Sequence, residues 1–290
     1  MLTDAFWNDI DKDGDSDLIT AGHWSSIRVF VNNGGKLTEQ ENTGIRQAVG
    51  FWQTLKPADI DGDGDMDFLA GNMGQNTKFR RGADGAVRLY SRDFLNSGEK
   101  LNQVVAYRYQ NEWFPIATKD ELGKSLPFLN KRFDNYRDFA GKPIDKIFDE
   151  SELPDDSMKE VNTFESVWVE NLGKGSDGTV QFRLHKLPML AQVSAVFAFD
   201  VQDVTGDGRP DILLGGNFYS VSTYQGRYDA SYGLVLRNDG GGKLSPIMPT
   251  DCGFVLNGEV RDIRQVRTGA GSLVLVSRNN ARMQVFKPIL

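Results

Sequence analysis

The sequence predicts an all-β protein, a β-propeller with about five recognisable four-stranded blades, a number that leaves room for a seven-bladed whole. Three observations predict it. The 290 residues are 39% hydrophobic and include 31 glycines, 18 phenylalanines and 5 tryptophans, a composition of short apolar runs between turns rather than of a helical bundle. A nine-residue segment with acids at alternate positions, Asp59-Ile60-Asp61-Gly62-Asp63-Gly64-Asp65-Met66-Asp67, recurs at residues 9–17 and, altered, at 203–211. The second copy begins about 50 residues after the first, one blade length, and the same order of strands surrounds both.

In the first unit, residues 5–7 read as a strand, 18–22 as a second and the alternating run 27–31 as a third. The turn Asn32-Asn33-Gly34-Gly35 leads to a fourth at 36–38, which completes an antiparallel meander. The second unit repeats the order with 51–55, the loop 59–67 and 68–72. A strand at 87–90 then reaches residues 93–99, a degenerate acidic loop expected to open a third blade without metal.

After strands at 104–109 and 113–116 the pattern changes. Leu122, Leu126, Leu129, Phe133, Tyr136 and Phe139 step by three or four, the helical period, and Pro127, Gly141 and Pro143 break the run into short helices. A helical insertion is therefore expected at about 118–163, its aromatic stripe serving as its own packing face. Strand character at 166–171 and 180–184 is expected to close the interrupted third blade. The next blade holds 196–199, the loop 203–211 and 212–217, then a long connection and a strand at 233–238. In the last unit, 260–266, Arg264 and Val266 replace carboxylates, so the scaffold continues without an ion site. Residues 1–290 thus read as one propeller domain or propeller fragment.

The formal charge of −7 argues against nucleic acid as the main partner, because phosphate binding needs a basic stripe, and Arg80-Arg81 and Lys131-Arg132 read as solvated doublets. No apolar stretch approaches the ~20 residues of a membrane span. Cys252 is the only cysteine, which excludes an internal disulfide framework, and it reads as a small residue packed near a strand end. Residues 1–7 show no signal peptide, so the chain is either cytosolic or lacks an N-terminal part.

The acidic loops carry the chemistry. With Asp59 as position 1, Asp59, Asp61 and Asp63 offer side-chain oxygens, Asp65 a main-chain carbonyl and Asp67 a closing carboxylate, which suits the six to eight hard oxygens of Ca2+. Gly64 at position 6 permits the reversal. Zinc would call for histidine or cysteine, which the loops lack. Asp9, Asp11, Asp13, Asp15 and Asp17 form the same set. In the third loop Asp203, Asp207 and Asp211 keep the pattern, Thr205 offers a hydroxyl at position 3, and Arg209 offers its carbonyl at position 7. Two Ca2+ sites and a weaker third are expected.

The pattern Asp-x-Asp-x-Asp-Gly-x-x-Asp before an apolar strand resembles the FG-GAP/VCBS repeat, the blade of integrin α-like propellers. Phe51-Trp52, the segment 71–76 and the segment 226–231 further resemble the C-terminal propeller of Bacteroidetes-type VCBS proteins that carry an ASPIC/UnbV domain. The resemblance implies calcium-stiffened blades in an extracellular or surface protein whose N-terminal part is missing here.

The functional expectation is a non-enzymatic module presenting a face to a protein or a glycan, with no catalytic residue assigned. The alternative is a carbohydrate-active enzyme, a polysaccharide lyase or glycosidase, whose sugar-stacking residues would come from Trp24, Trp52, Phe218, Tyr219, Tyr224, Tyr228 and Asp229. The only histidines, His23 and His185, supply little for a triad, and the clustered aspartates are already assigned to metal.

Overall fold

The computed structural model describes residues 1–79, 85–95, 97–98, 101–149, 152–153, 158–221, 226–269 and 271–288. Arg80-Arg81 and Tyr224, singled out above, lie outside the described residues. The chain is mostly β and forms two compact units, Met1–Thr77 with Phe164–Leu290, and Lys78–Thr163.

The first unit opens with β1 (Leu2–Asn8), β2 (Asp17–Ser26), β3 (Arg28–Asn33) and β4 (Lys36–Gln40), antiparallel in that order, with β5 (Val49–Phe51) on the far end of β2. Alternation sets the faces: Phe6, Ile19 and Val29 stand opposite one another and point into the core, whereas Trp7, Leu18 and Phe30 form the next row on the other face. The second sheet starts with β6 (Thr54–Pro57) and β7 (Phe68–Gly71).

Residues 78–163 then form the second unit. It holds β8 (Val87–Arg92), β9 (Asn102–Tyr109) and β10 (Glu112–Pro115), the α-helices α1 (Lys119–Ser125), α2 (Phe128–Arg132) and α3 (Tyr136–Phe139), and β11 (Met158–Val161). Its sheet runs β10-β9-β8-β11. The helical stripe packs as expected, with Leu122, Leu126, Leu129, Phe133 and Phe139 buried beside Tyr90, Phe94 and Val104. Thr118 caps α1 in a capping box with Glu121. Tyr136 leaves the stripe and is exposed, its hydroxyl donating to Asp120.

The chain re-enters the first unit with β12 (Val167–Lys174) and β13 (Val180–Lys186). These were expected to close a third blade begun at 87–90; instead β12 pairs with β7, Val167 opposite Ala70 and Val169 opposite Phe68, and completes the second sheet in the order β13-β12-β7-β6. The reason lies in β7. All four of its residues are buried, so it is an interior strand that needs a hydrogen-bonded neighbour on both edges.

The third sheet is β14 (Val196–Gln202), β15 (Asp211–Gly216), β16 (Leu234–Asn238) and β17 (Leu244–Ile247). After the short α4 (Pro249–Cys252), the last sheet has three strands, β18 (Glu259–Thr268), β19 (Gly271–Asn279) and β20 (Gln284–Phe286). Cys252 is exposed on α4 rather than packed beside a strand. Arg264 and Val266 lie within β18, which pairs with β19 as far as Thr268↔Gly271 and so leaves no room for an acidic loop.

The second and third sheets of the first unit carry core on both faces, as period-two strands allow. On β7, Phe68 and Ala70 join the core shared with the first sheet, while Leu69 joins the core shared with the third. On β15, Ile212 and Leu214 face the second sheet and Leu213 the fourth. The first strands follow one another across these stacked sheets, β1 beside β6, β6 beside β14 and β14 beside β18. At Gly216 the approach is so close that a Cβ would sit 1.7 Å from the Ala195 carbonyl oxygen, so only glycine fits.

Candidate metal centres

All three acidic loops join the first strand of a sheet to its second: 9–17 between β1 and β2, 59–67 between β6 and β7, and 203–211 between β14 and β15. Their backbones are folded by their own carboxylates. The first aspartate accepts the N–H of the sixth residue in every case, Asp9 from Gly14 at 3.0 Å, Asp59 from Gly64 at 3.1 Å and Asp203 from Gly208 at 2.8 Å. Left-handed backbone is needed at position 6, where Gly64 has φ +87°, and also at position 4, where Gly62 and Gly206 are matched in the first loop by Lys12 at φ 59°. Only glycine takes that conformation without steric cost.

The ninth residue anchors the loop. Asp67 is fully buried, one oxygen accepting the Ile60 N–H at 3.0 Å and the other the Asn171 N–H at 2.8 Å. Asp17 does the same with Ile10 and Asn32, and Asp211 with Val204 and Asn238. Burial raises the Asp67 carboxyl to about 6, and raises that of Asp17 for the same reason. The Asp61 carboxyl is also raised, by burial and then by its acidic neighbours Asp63 and Asp59.

In the first two loops, carboxylate oxygens of Asp9, Asp11 and Asp17, and of Asp59, Asp61 and Asp67, lie within 4.8 Å of one another. Asp13 and Asp63 each accept the N–H of the aspartate two residues on, Asp15 and Asp65. Cations of the chain lie against both loops: Lys174 Nζ is 3.1 Å from Asp11, and Lys12 reaches from the first loop to Asp65 of the second.

The third loop is arranged differently. Thr205 turns its hydroxyl onto Asp211 at 3.0 Å as a donor, Arg209 pairs with Asp207, and the Arg209 Nε donates to the Asn238 carbonyl at 2.7 Å. Among the described residues its carboxylates form no trio like those of the other two loops. Hydrogen bonds from the backbone, Gly208 foremost, hold the Asp203 carboxyl below its ordinary range.

The degenerate segment after β8 keeps the loop's first hydrogen bond: Asp93 accepts the Gly98 N–H at 2.6 Å, five residues on, as Asp59 does from Gly64. Of the aromatic candidates, Trp52 is fully buried and Tyr228 nearly so, whereas Trp24 packs edge-on against Phe51 with centroids 4.8 Å apart. Phe218 and Tyr228 bridge through their backbones, Arg227 lies over Tyr219 at 5.0 Å, and Asp229 is exposed. His23 bonds Gln53 at 3.0 Å, and His185 bonds Glu170 at 2.7 Å while stacking on Trp168.

One set of residues escaped the sequence reading. Asn32, Asn171 and Asn238 lie on β3, β12 and β16, the strands next to β2, β7 and β15, and each donates its N–H to a ninth-position aspartate. The signal was present as a repeated Asn-x-Gly at 32–34, 171–173 and 238–240.

Residues 9–70 match the model of an FG-GAP-like repeat, and residues 51–90 that of an FG-GAP repeat. Residues 9–90 carry FG-GAP repeats. The matched segments contain loops 9–17 and 59–67 whole, and their FG-GAP identity agrees with the propeller-like sheets around them. No curated protein matches the chain. Among solved structures, one of an Agrocybe aegerita lectin, described for specific recognition of non-reducing terminal N-acetylglucosamine, is 16% identical over 98% of this chain and 66% of its own length, with a TM-score of 0.24. A likeness at that score carries no argument about fold or ligand.

Proposed function

We propose that the FG-GAP loops 9–17 and 59–67 each bind a structural Ca2+ in an extracellular, non-enzymatic interaction module, and that loop 203–211 binds a third ion more weakly. The observation that carries the calcium reading is the gathering of three carboxylates in each of the first two loops, on a backbone with two left-handed positions and a buried closing aspartate. The donors are all oxygen, the set a hard divalent cation takes. Asp9, Asp11, Asp13 and Asp17, and Asp59, Asp61, Asp63 and Asp67, would supply side chains, and Asp15 and Asp65 their carbonyls. In loop 203–211, Asp203, Asp207 and Asp211 would be joined by Thr205 and the Arg209 carbonyl. The ion's chemistry is charge neutralisation: it ties together segments that repel one another, and its binding free energy adds to folding.

For the module, support comes from the family's blades and from connections on which aromatic and cationic side chains meet, such as Arg227 over Tyr219. The partner is a protein or a glycan. Residues 1–290 act in this reading as one propeller domain or propeller fragment with a helical insertion at about 118–163. A glycan array followed by a turnover assay on the same oligosaccharides tests it: retention without cleavage supports the module, and cleavage overturns it.

A further inference from the structure

Asn171, within β12, is 1% exposed and uses its donors and acceptor in three directions. Its N–H donates to Asp67 of loop 59–67 at 2.8 Å, its Oδ1 accepts the Gly173 N–H at 3.0 Å, and its Nδ2 donates to the Ile10 carbonyl of loop 9–17 at 2.9 Å. Ile10 is itself engaged through its N–H, in the preceding peptide unit, which donates to Asp17 at 3.0 Å. Asp17 and Asp67, the closing carboxylates of the two loops, are therefore the ends of one short run of hydrogen bonds through Ile10 and Asn171. Each of these four residues is at most 2% exposed. The next sheet repeats the device, with Asn238 Nδ2 on the Ile60 carbonyl at 2.7 Å and its N–H on Asp211.

We propose that Asn171 is a positioning residue that couples the two ion sites, so that Ca2+ in one FG-GAP loop raises the affinity of the other. The proposal rests on the calcium reading above. A loop without its ion pays to order carboxylates that repel one another, and a second binding event on an already ordered site pays less. An ion held by Asp67 fixes that carboxylate, and through it the Asn171 peptide. The Asn171 amide then stays on Ile10, and Ile10 keeps its N–H on Asp17. Loop 9–17 thus meets its ion in the binding geometry. Because coupling is reciprocal, the effect runs equally from loop 9–17 to loop 59–67.

The test is a double-mutant cycle on the full chain, stripped of metal and titrated with Ca2+ alone, with bound ions counted by native mass spectrometry. Asp61→Asn disables loop 59–67 at a half-exposed ligand. It is expected to weaken Ca2+ binding at loop 9–17 by about 5-fold or more, the lower range of site-to-site coupling. With Asn171→Ala in place, the same Asp61→Asn change should alter loop 9–17 by less than about 2-fold. A purely structural role for Asn171 would lower both affinities and leave the coupling between them intact, which would overturn the proposal. The Asp61→Asn comparison with Asn171 present stands even if Asn171→Ala does not fold: unchanged affinity at loop 9–17 overturns the coupling while leaving the calcium reading in place. Absence of any bound ion in the unsubstituted chain overturns both.

Discussion

Loop 59–67 and loop 203–211 fold alike, with the first aspartate on the sixth N–H and the ninth aspartate buried between two sheet strands. They differ in the charge inside the fold. The first gathers Asp59, Asp61 and Asp67 at one point, whereas the second has a threonine hydroxyl on Asp211 and an arginine on Asp207. In the third loop the same backbone is held in large part by the chain's own groups. Under the calcium proposal, metal adds most stability in the loops where carboxylates crowd and less in the third.

The largest expected effect is on stability. Two sites filled at about a hundred times their dissociation constants add ~5 kcal/mol, which should lower the unfolding midpoint by ~10 °C or more when a chelator removes the ions. Scanning calorimetry with and without chelator reads this directly. Next comes the anchoring aspartate, which separates the two kinds of loop. Asp67→Ala strands the Ile60 and Asn171 N–H groups and should cost about 2–4 kcal/mol with calcium removed, and it should also abolish one ion's share of calcium stabilisation. Asp211→Ala should cost a similar amount in denaturant unfolding while leaving most of the calcium-dependent increment in place.

A smaller effect sharpens the comparison from the other side. Thr205→Asp with Arg209→Ala gives the third loop carboxylates at all four side-chain ligand positions and removes the arginine, and titration calorimetry should then find a third ion bound as tightly as the first two. Unchanged binding would mean that more than these two residues distinguishes the loops. The smallest effect is that of pH. Because Asp67 has a folded-state value of about 6, above its ordinary 3.8, the metal-free folded chain binds a proton that the unfolded chain does not. That contribution is complete below about pH 4 and lost as pH rises through 6, so chelated protein should gain stability between pH 7 and pH 5, and Asp67→Asn should flatten the gain. Glu39 works in the opposite sense: Arg28 and Arg46 hold it down to about 2, so its contribution is lost only as pH falls through the range from its ordinary 4.5 to 2.

Much of this was legible in the residues. The loops, their order and the glycine at position 6 follow from spacing, because a local turn is specified by local sequence. The helical stripe at 122–139 was legible for the same reason. The partner of β7 was not: β12 lies about a hundred residues downstream, beyond the second unit, and strand pairing across such a separation leaves no mark in a short window. β11 was also missed, since four residues with mixed polarity carry too little periodicity. The need for left-handed backbone at position 4 was hidden by Lys12, and the asparagine contacts by the fact that Asn-x-Gly reads first as a turn.

The most direct test of the calcium account is isothermal titration of the metal-stripped chain with CaCl2, with Asp61→Asn and Asp11→Asn as controls. The account predicts two tight sites, each lost in turn with its own loop's substitution. Failure to bind, or tight binding that survives both substitutions together, would contradict it.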